Sequence, residues 1–128
     1  MDLVQKTIQV ITDAIESRAS KSRVKKSDVQ ITLYAKGEKE IGVVWMKNGK
    51  AEAQTKINNI LGSYALIPTV SSTVNNTIYN ALNNFSKTFK VSIMTLNARL
   101  FIENEVLKAT LYLNGEIKKE ISIEEIIN

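Results

Sequence analysis

Few of the residue types that commonly do chemistry in proteins occur in this sequence. Its 128 residues include no histidine and no cysteine. Disulfide bonds, cysteine nucleophiles, serine–histidine triads and metal sites that need imidazole or thiolate are therefore excluded. The candidate carboxylate pairs are Glu103/Glu105 and Glu124/Glu125. Glu103 and Glu105 are two positions apart, which on a strand would place both carboxylates on one face, where they could hold a hard cation. No third acid accompanies this pair. We expect no metal site, no cofactor and no catalytic residue.

The densest cluster of charge in the sequence is basic. Arg18, Lys21, Arg23, Lys25 and Lys26 place five positive charges in nine residues with no acid among them. Such a cluster can neutralise the phosphates of a nucleic acid. A solvated loop is the alternative, because no aromatic side chain lies between these residues for base stacking. Lysines at two predicted hairpin turns would extend the cluster if both turns lay beside it: Lys36, Lys39, Lys47 and Lys50.

A long uncharged segment runs from Ile57 to Ser86. A helix that lies on a sheet usually carries Glu and Lys on its outward face, whereas this segment carries Asn, Ser and Thr. A buried amide can be satisfied by hydrogen bonds, but a buried unpaired charge costs several kcal/mol. The pattern therefore favours an interface with a second copy or a protein partner, and an Asn-rich composition is the alternative. The predicted interface residues are Asn75, Asn76, Asn80, Asn83 and Asn84.

Two helices are predicted by apolar residues at helical spacing. These residues are Val4, Ile8, Ile11 and Ile15 in the first segment, and Val74, Ile78, Leu82 and Phe85 in the second. We place the helices at residues 3–18 and 71–88, with a basic loop over residues 18–26. Pro68 separates the second helix from what precedes it, because proline interrupts a helix interior.

The remaining chain has the pattern of β-strands and tight turns. Residues 29–35 alternate between apolar and polar, and residues 41–46 form an apolar run in which Trp45 is expected to be buried. The pairs Asn48-Gly49 and Asn114-Gly115 suit type I′ hairpin turns. Residues 51–57 fit a strand or a helix. Further strands are predicted at 91–96, 100–102, 107–113 and 117–123, before a closing helical turn at 124–128.

This order of elements predicts an α+β fold. We expect one domain, residues 1–128, with an antiparallel sheet of about five to six strands and two main helices. The hydrophobic share of 44% and the charged share of 23% are typical of globular domains. Because no signal peptide and no long apolar run is recognisable, we expect a cytoplasmic protein without a membrane span.

One internal similarity is visible in the sequence. Residues 32–41, which begin Thr-Leu-Tyr, resemble residues 110–121, which also begin Thr-Leu-Tyr. Repeated domains normally show more than one matching segment. We therefore interpret this similarity as two hairpins that share their turn chemistry.

Three consecutive features can be compared with a known family: the apolar strand of Ile41 to Lys50 that turns at Asn-Gly, the long helix after it and the strands over residues 91–114. Together these elements resemble the Roadblock family of dynein-light-chain-like proteins. The resemblance covers roughly residues 41–114. It implies a small αββαβββα domain that forms a homodimer through its central helix and the adjacent strand. It also implies a platform or regulator for a small GTPase, without catalytic residues of its own.

The sequence thus leads to two functional hypotheses. The first is a non-enzymatic interaction module that dimerises through its central helix and binds a protein partner. The alternative is a small nucleic-acid-binding protein that uses the basic residues between Arg18 and Lys26.

Overall fold

The computed structural model describes residues 2–128 and has a single six-stranded antiparallel sheet, which confirms the predicted α+β class. Met1, the first residue of the predicted domain, lies outside the described residues. The strands are β1 (Val29–Gly37), β2 (Glu40–Lys47), β3 (Lys50–Lys56), β4 (Leu96–Glu103), β5 (Val106–Leu113) and β6 (Glu116–Ile121). Their spatial order is β3-β2-β1-β4-β5-β6. The helices are α1 (Leu3–Ser22), α2 (Ile57–Leu61), α3 (Val70–Phe89) and α4 (Glu124–Ile127).

The helices pack on one face of the sheet. Alternate strand residues, such as Ile31 and Leu33 in β1 and Ala98 and Leu100 in β4, are fully buried and share one hydrophobic core with the helices. The buried stripe of α1 includes Ile11 and Ile15, and that of α3 includes Ile78 and Leu82. The burial of these apolar side chains is the main favourable term in folding.

The chain consists of two structural repeats, which the sequence analysis did not identify. The first is α1-β1-β2-β3-α2 and the second is α3-β4-β5-β6-α4. The first residues of β1 and β4, Val29 and Leu96, are 67 positions apart. The first residues of β2 and β5, Glu40 and Val106, are 66 positions apart because the second hairpin is one residue shorter. Residues 32–41 and 110–121 occupy different places in the two repeats, so their similarity does not mark the duplication.

The two repeats share details that elements of similar length alone would not produce. Both long helices end at a left-handed residue with φ 57°, Arg23 and Lys90. A β-bulge follows Trp45 in the first repeat and Leu111 in the second. The buried helix positions also correspond: Thr7 with Val74, Ile11 with Ile78, Ile15 with Leu82, and Ala19 with Ser86.

A pseudo-two-fold axis passes through the centre of the sheet. In the β1–β4 pair, Thr32 lies directly opposite Arg99, and these two residues are equivalent in the repeats. Around the axis, Tyr34 lies opposite Asn97 and Gln30 lies opposite Phe101. Two copies of one supersecondary unit therefore complete a single sheet.

Several predicted boundaries are wrong. Helix α1 continues to Ser22, so Arg18 and Lys21 lie on a helix and only the last part of the basic cluster is a loop. The segment predicted as a strand over residues 91–96 contains a short 3₁₀ turn, Ile93–Thr95, and β4 begins only at Leu96. The undecided segment is the edge strand β3 followed by α2. The structure confirms the positive φ angles that type I′ turns require at Asn48-Gly49 and Asn114-Gly115.

Candidate functional site

The sheet face opposite the helices is the candidate site, and we call it the open face. Its side chains alternate with the core positions along each strand, and most are half-buried. The central strands and their neighbours contribute Gln30, Thr32, Tyr34, Val44, Met46, Asn97, Arg99, Phe101, Lys108, Thr110 and Tyr112.

Arg99 lies at the centre of the open face, on the pseudo-two-fold axis. Its guanidinium carbon is 4.6 Å from the centroid of the Tyr112 ring, a distance typical of a cation–π interaction. The Arg99 Nε is buried and has no hydrogen-bond partner among the described residues. The Tyr112 ring therefore holds the guanidinium group in place, while the Nε of this group makes no hydrogen bond to another described residue.

Two polar side chains beside Arg99 also have an unused atom. The Thr32 Oγ1 and the Gln30 Oε1 are buried, and neither has a hydrogen-bond partner within the described part of the chain. The amide nitrogen of Gln30 donates to the backbone carbonyl of Ser27 at 3.3 Å, so the Gln30 side chain is held in place. A buried polar atom without a partner costs about 1–3 kcal/mol. Three such atoms at one place indicate a surface that a ligand or water completes.

Two aromatic rings lie at equivalent positions on either side of the axis. Tyr34 faces the amide of Asn97 across β1 and β4, and Phe101 faces the amide of Gln30 in the same way. Four residues along a strand at ~3.4 Å each put the two rings roughly 14 Å apart. Each repeat therefore supplies one ring and one amide.

Gly42 allows the Tyr34 ring to lie against the sheet. The two residues are opposite one another on β1 and β2, and a Cβ at position 42 would overlap the ring. The ring lies over the backbone at Gly42 and lines a depression of the open face. Tyr34 remains half-buried rather than enclosed.

Basic side chains lie beside both rings. A depression of about 380 Å³ next to Phe101 is lined by Lys25, Lys26 and Glu103, among others. A second depression of about 260 Å³ next to Tyr34 is lined by Lys36, Lys56 and Gln54, among others. The loop after α1 thus borders the open face at its Phe101 end.

The predicted basic cluster is divided in the structure. The guanidinium carbon of Arg18 lies 4.6 Å from the centroid of the Trp45 ring. The same side chain forms an ion pair with Glu52 at 3.5 Å. Trp45 is 9% exposed, so its predicted burial is confirmed. Hydrogen bonds from Lys47 and the charge of Arg18 hold the pKa of Glu52 below its usual range. Arg18 therefore attaches α1 to the edge of the sheet.

Lys26 is also engaged within the chain. Its Nζ is 2.5 Å from Glu105 and 2.9 Å from Glu16. Its hydrogen bond to Glu105, and to a smaller extent its hydrogen bond to Glu16, raise the pKa of Lys26. The other members of the cluster are exposed and form no ion pair with another described residue: Lys21, Arg23 and Lys25.

The lysines at the hairpin turns lie at opposite ends of β2. The backbone N–H of Asn48 donates to the carbonyl of Asp28 at 2.8 Å. Lys47 and Lys50 are therefore beside the loop after α1, whereas Lys36 and Lys39 belong to the far turn. Only half of the proposed extension of the basic cluster has the necessary position.

The predicted interface asparagines on α3 have different environments. The Asn75 amide oxygen accepts from the N–H of Ile41 at 3.0 Å, and its amide nitrogen donates to the carbonyl of Lys39. Asn75 thus fixes α3 to the β1–β2 hairpin and is engaged within the chain. Asn83 is half-buried, and the rest are exposed: Asn76, Asn80 and Asn84.

The carboxylate pairs do not converge. Glu103 forms an ion pair with Lys108 at 2.7 Å, and Glu105 is paired with Lys26. The carboxylate of Glu125 accepts a hydrogen bond from the N–H of Ser122 at 2.7 Å, next to the start of α4. No group of three or more acidic side chains that could hold a metal ion occurs among residues 2–128 as the structure describes them.

No family model, curated protein or solved structure matches this chain. Among the described helices, none is both long enough and apolar enough to cross a membrane. The open face must therefore be interpreted from its own chemistry.

Sequence reasoning missed the open face because it assigned function to runs of charge and to helix α3. The signal was present in the strand residues that alternate with the core. In β1 these residues are Gln30, Thr32 and Tyr34, and at the equivalent positions of β4 they are Asn97, Arg99 and Phe101. A comparison of the chain with itself at a spacing of 67 residues would have aligned these triplets.

Proposed function

We propose that this protein is a non-enzymatic nucleic-acid-binding protein and that the open face of its sheet is the binding surface. The observation that carries the proposal is Arg99, which lies on the pseudo-two-fold axis between two aromatic–amide pairs. Arginine binds phosphates and base edges through its fork of N–H donors, and amides and aromatic rings contact bases.

The distribution of charge on the open face favours an anionic ligand. Arg99 occupies the centre of the face, and Lys36 and Lys56 line a depression at one end. The acidic residues of this face are peripheral: Glu103 ends β4 and is paired with Lys108, and Glu120 lies on the edge strand β6. An anionic strand that crosses the centre would meet Arg99 first.

The same position of Arg99 argues against a second copy of the chain on this face. A symmetric dimer brings a residue near its axis next to the same residue of the partner. A dimer centred on the open face would therefore oppose two Arg99 guanidinium groups, and like charges across an interface are unfavourable. Such an interface would also contain the polar side chains of Thr32, Gln30 and Asn97. It would therefore be more polar than a permanent dimer interface usually is.

The loop after α1 has a supporting role in this proposal. Lys25 lines the depression beside Phe101, and Lys21 and Arg23 are exposed nearby in sequence. These side chains can contact phosphates on either side of the bases and add a salt-dependent contribution to affinity. Arg18 and Lys26 already form intramolecular ion pairs.

The Arg99→Thr variant tests the proposal, because threonine is the residue at the equivalent position of the first repeat, Thr32. We expect a mixed-sequence oligonucleotide at about 50 mM salt to bind the variant roughly tenfold or more weakly than the wild type. Wild-type affinity should fall as salt rises, with a log–log slope of roughly −0.7 to −0.9 per phosphate contacted. Fluorescence anisotropy gives both quantities.

The matched control is Lys87→Thr, which removes one positive charge from the exposed end of α3, on the helix side of the sheet. The Lys87 charge lies on the side of the sheet away from the open face, so its loss should change the affinity only slightly. Equal losses in the two variants would mean that net charge, and not the open face, determines binding. An absence of binding by the wild type would refute the proposed function.

A dimerising interaction module is the second candidate, because the outward face of α3 carries Asn76, Asn80 and Asn84, which are exposed and uncharged. This candidate agrees with the resemblance to the Roadblock family, in which the central helix forms the dimer. It uses the side of the molecule opposite the open face and is compatible with nucleic-acid binding.

A further inference from the structure

We propose that the open face binds single-stranded nucleic acid, with one unstacked base on Tyr34 and another on Phe101, and that it discriminates against a duplex. This inference rests on the proposed function, because it concerns the kind of nucleic acid that the same surface takes.

The positions of the rings support a single strand. The Tyr34 ring lies over the backbone at Gly42 and lines a depression of the open face. Phe101 has the equivalent position in β4 and is also half-buried. A base can stack on such a ring only if it has left its neighbours in the nucleic acid, since the bases of a duplex are already stacked on one another.

The amides beside the rings support the same conclusion. Asn97 lies opposite Tyr34, and Gln30, with its unpartnered Oε1, lies opposite Phe101. A base that lies on either ring brings its hydrogen-bonding edge towards an amide. These edges are fully available only on unpaired bases. Each half-site therefore combines a stacking surface from one repeat with a polar reader from the other.

Arg99 connects the two half-sites. It lies between the two rings, which are roughly 14 Å apart along the strands. The guanidinium group is held against Tyr112, and its positive charge can attract a phosphate of the segment that joins the two bases. A strand that reaches both rings should bind more tightly than one that fills a single half-site, because the second contact becomes intramolecular.

The experiment compares three ligands of equal length with the full chain: an unstructured pyrimidine single strand, a perfect duplex and an abasic sugar–phosphate strand. We expect the single strand to bind at least tenfold more tightly than both of the others in fluorescence anisotropy. Single strands of increasing length should show a marked gain in affinity once they span both rings.

The variants Tyr34→Leu and Phe101→Leu remove one stacking surface each and keep an apolar side chain. Each should weaken binding of the single strand roughly 5- to 100-fold, the range expected for the loss of one base–aromatic stack. Tyr64→Leu is the matched control, because Tyr64 belongs to the segment that joins the repeats and packs against the core on the helix side. It should leave the affinity unchanged.

A second readout keeps the inference falsifiable if a leucine variant does not fold. Single strands that contain 2-aminopurine should lose fluorescence on binding to the wild type, as the base stacks on a ring. Duplex binding equal to or tighter than single-strand binding, or equal binding of the abasic strand, would overturn the inference and leave the proposed function standing. Failure of all three ligands to bind would overturn both.

Discussion

At the scale of single residues, neighbours in the sequence differ in what they do. Asn75 and Asn76 belong to the same uncharged stretch, and the sequence analysis assigned both to one interface. In the structure Asn75 hydrogen-bonds to the backbone at Ile41 and Lys39, whereas Asn76 is exposed. The sequence could not distinguish them, because the partners of Asn75 lie 34 and 36 positions away.

Asn75→Ala should lower the free energy of unfolding by about 1–3 kcal/mol, because it leaves the partly buried N–H of Ile41 and the carbonyl of Lys39 without their partners. Asn76→Ala is the matched control and should change stability by no more than about 0.5 kcal/mol. Urea denaturation of the two variants measures the difference. Equal stabilities would show that the hydrogen bonds of Asn75 do not anchor α3.

At the scale of elements, periodicity predicted the two long helices and most of the strands. The apolar stripes of α1 and α3 are the buried stripes of the structure, and the Asn-Gly pairs turn where expected. Periodicity could not predict the last turn of α1, because Ser20, Lys21 and Ser22 are exposed. Periodicity also placed the start of β4 too early. The apolar and polar residues that alternate around the 3₁₀ turn Ile93–Thr95 have the pattern of a strand but do not form one.

The second candidate function belongs to this scale, because it concerns the outward face of α3. If α3 forms a dimer, the triple change Asn76→Glu, Asn80→Glu and Asn84→Glu should place like charges across the interface and yield a monomer. Light scattering at high micromolar concentration gives the mass of both proteins. A monomeric wild type would exclude the α3 dimer, and a triple variant that remains dimeric would assign the interface to another surface.

At the scale of the whole molecule, the duplicated architecture determines where function is expected. The repeats keep the same buried positions and the same bulge, but few identical residues; Ile11 and Ile78 are one such pair. Packing requires a side chain of suitable size and polarity, not a particular residue, so the duplication is visible in structure and faint in sequence. The open face is assembled from β1 and β4, which come from different repeats. A search for a local motif could not have found it.

The most direct test of the account is an NMR titration of the wild-type protein with a pyrimidine single strand, because it locates the binding surface without a substitution. We expect the largest chemical-shift changes at the side chains of Tyr34, Asn97, Arg99 and Phe101, which lie together on the open face. Smaller changes should occur at the exposed Lys25 and Arg23, and the outward face of α3 should be unaffected. Changes confined to α3, or to the loop after α1 without the strand residues, would contradict the assignment of the open face as the nucleic-acid-binding surface.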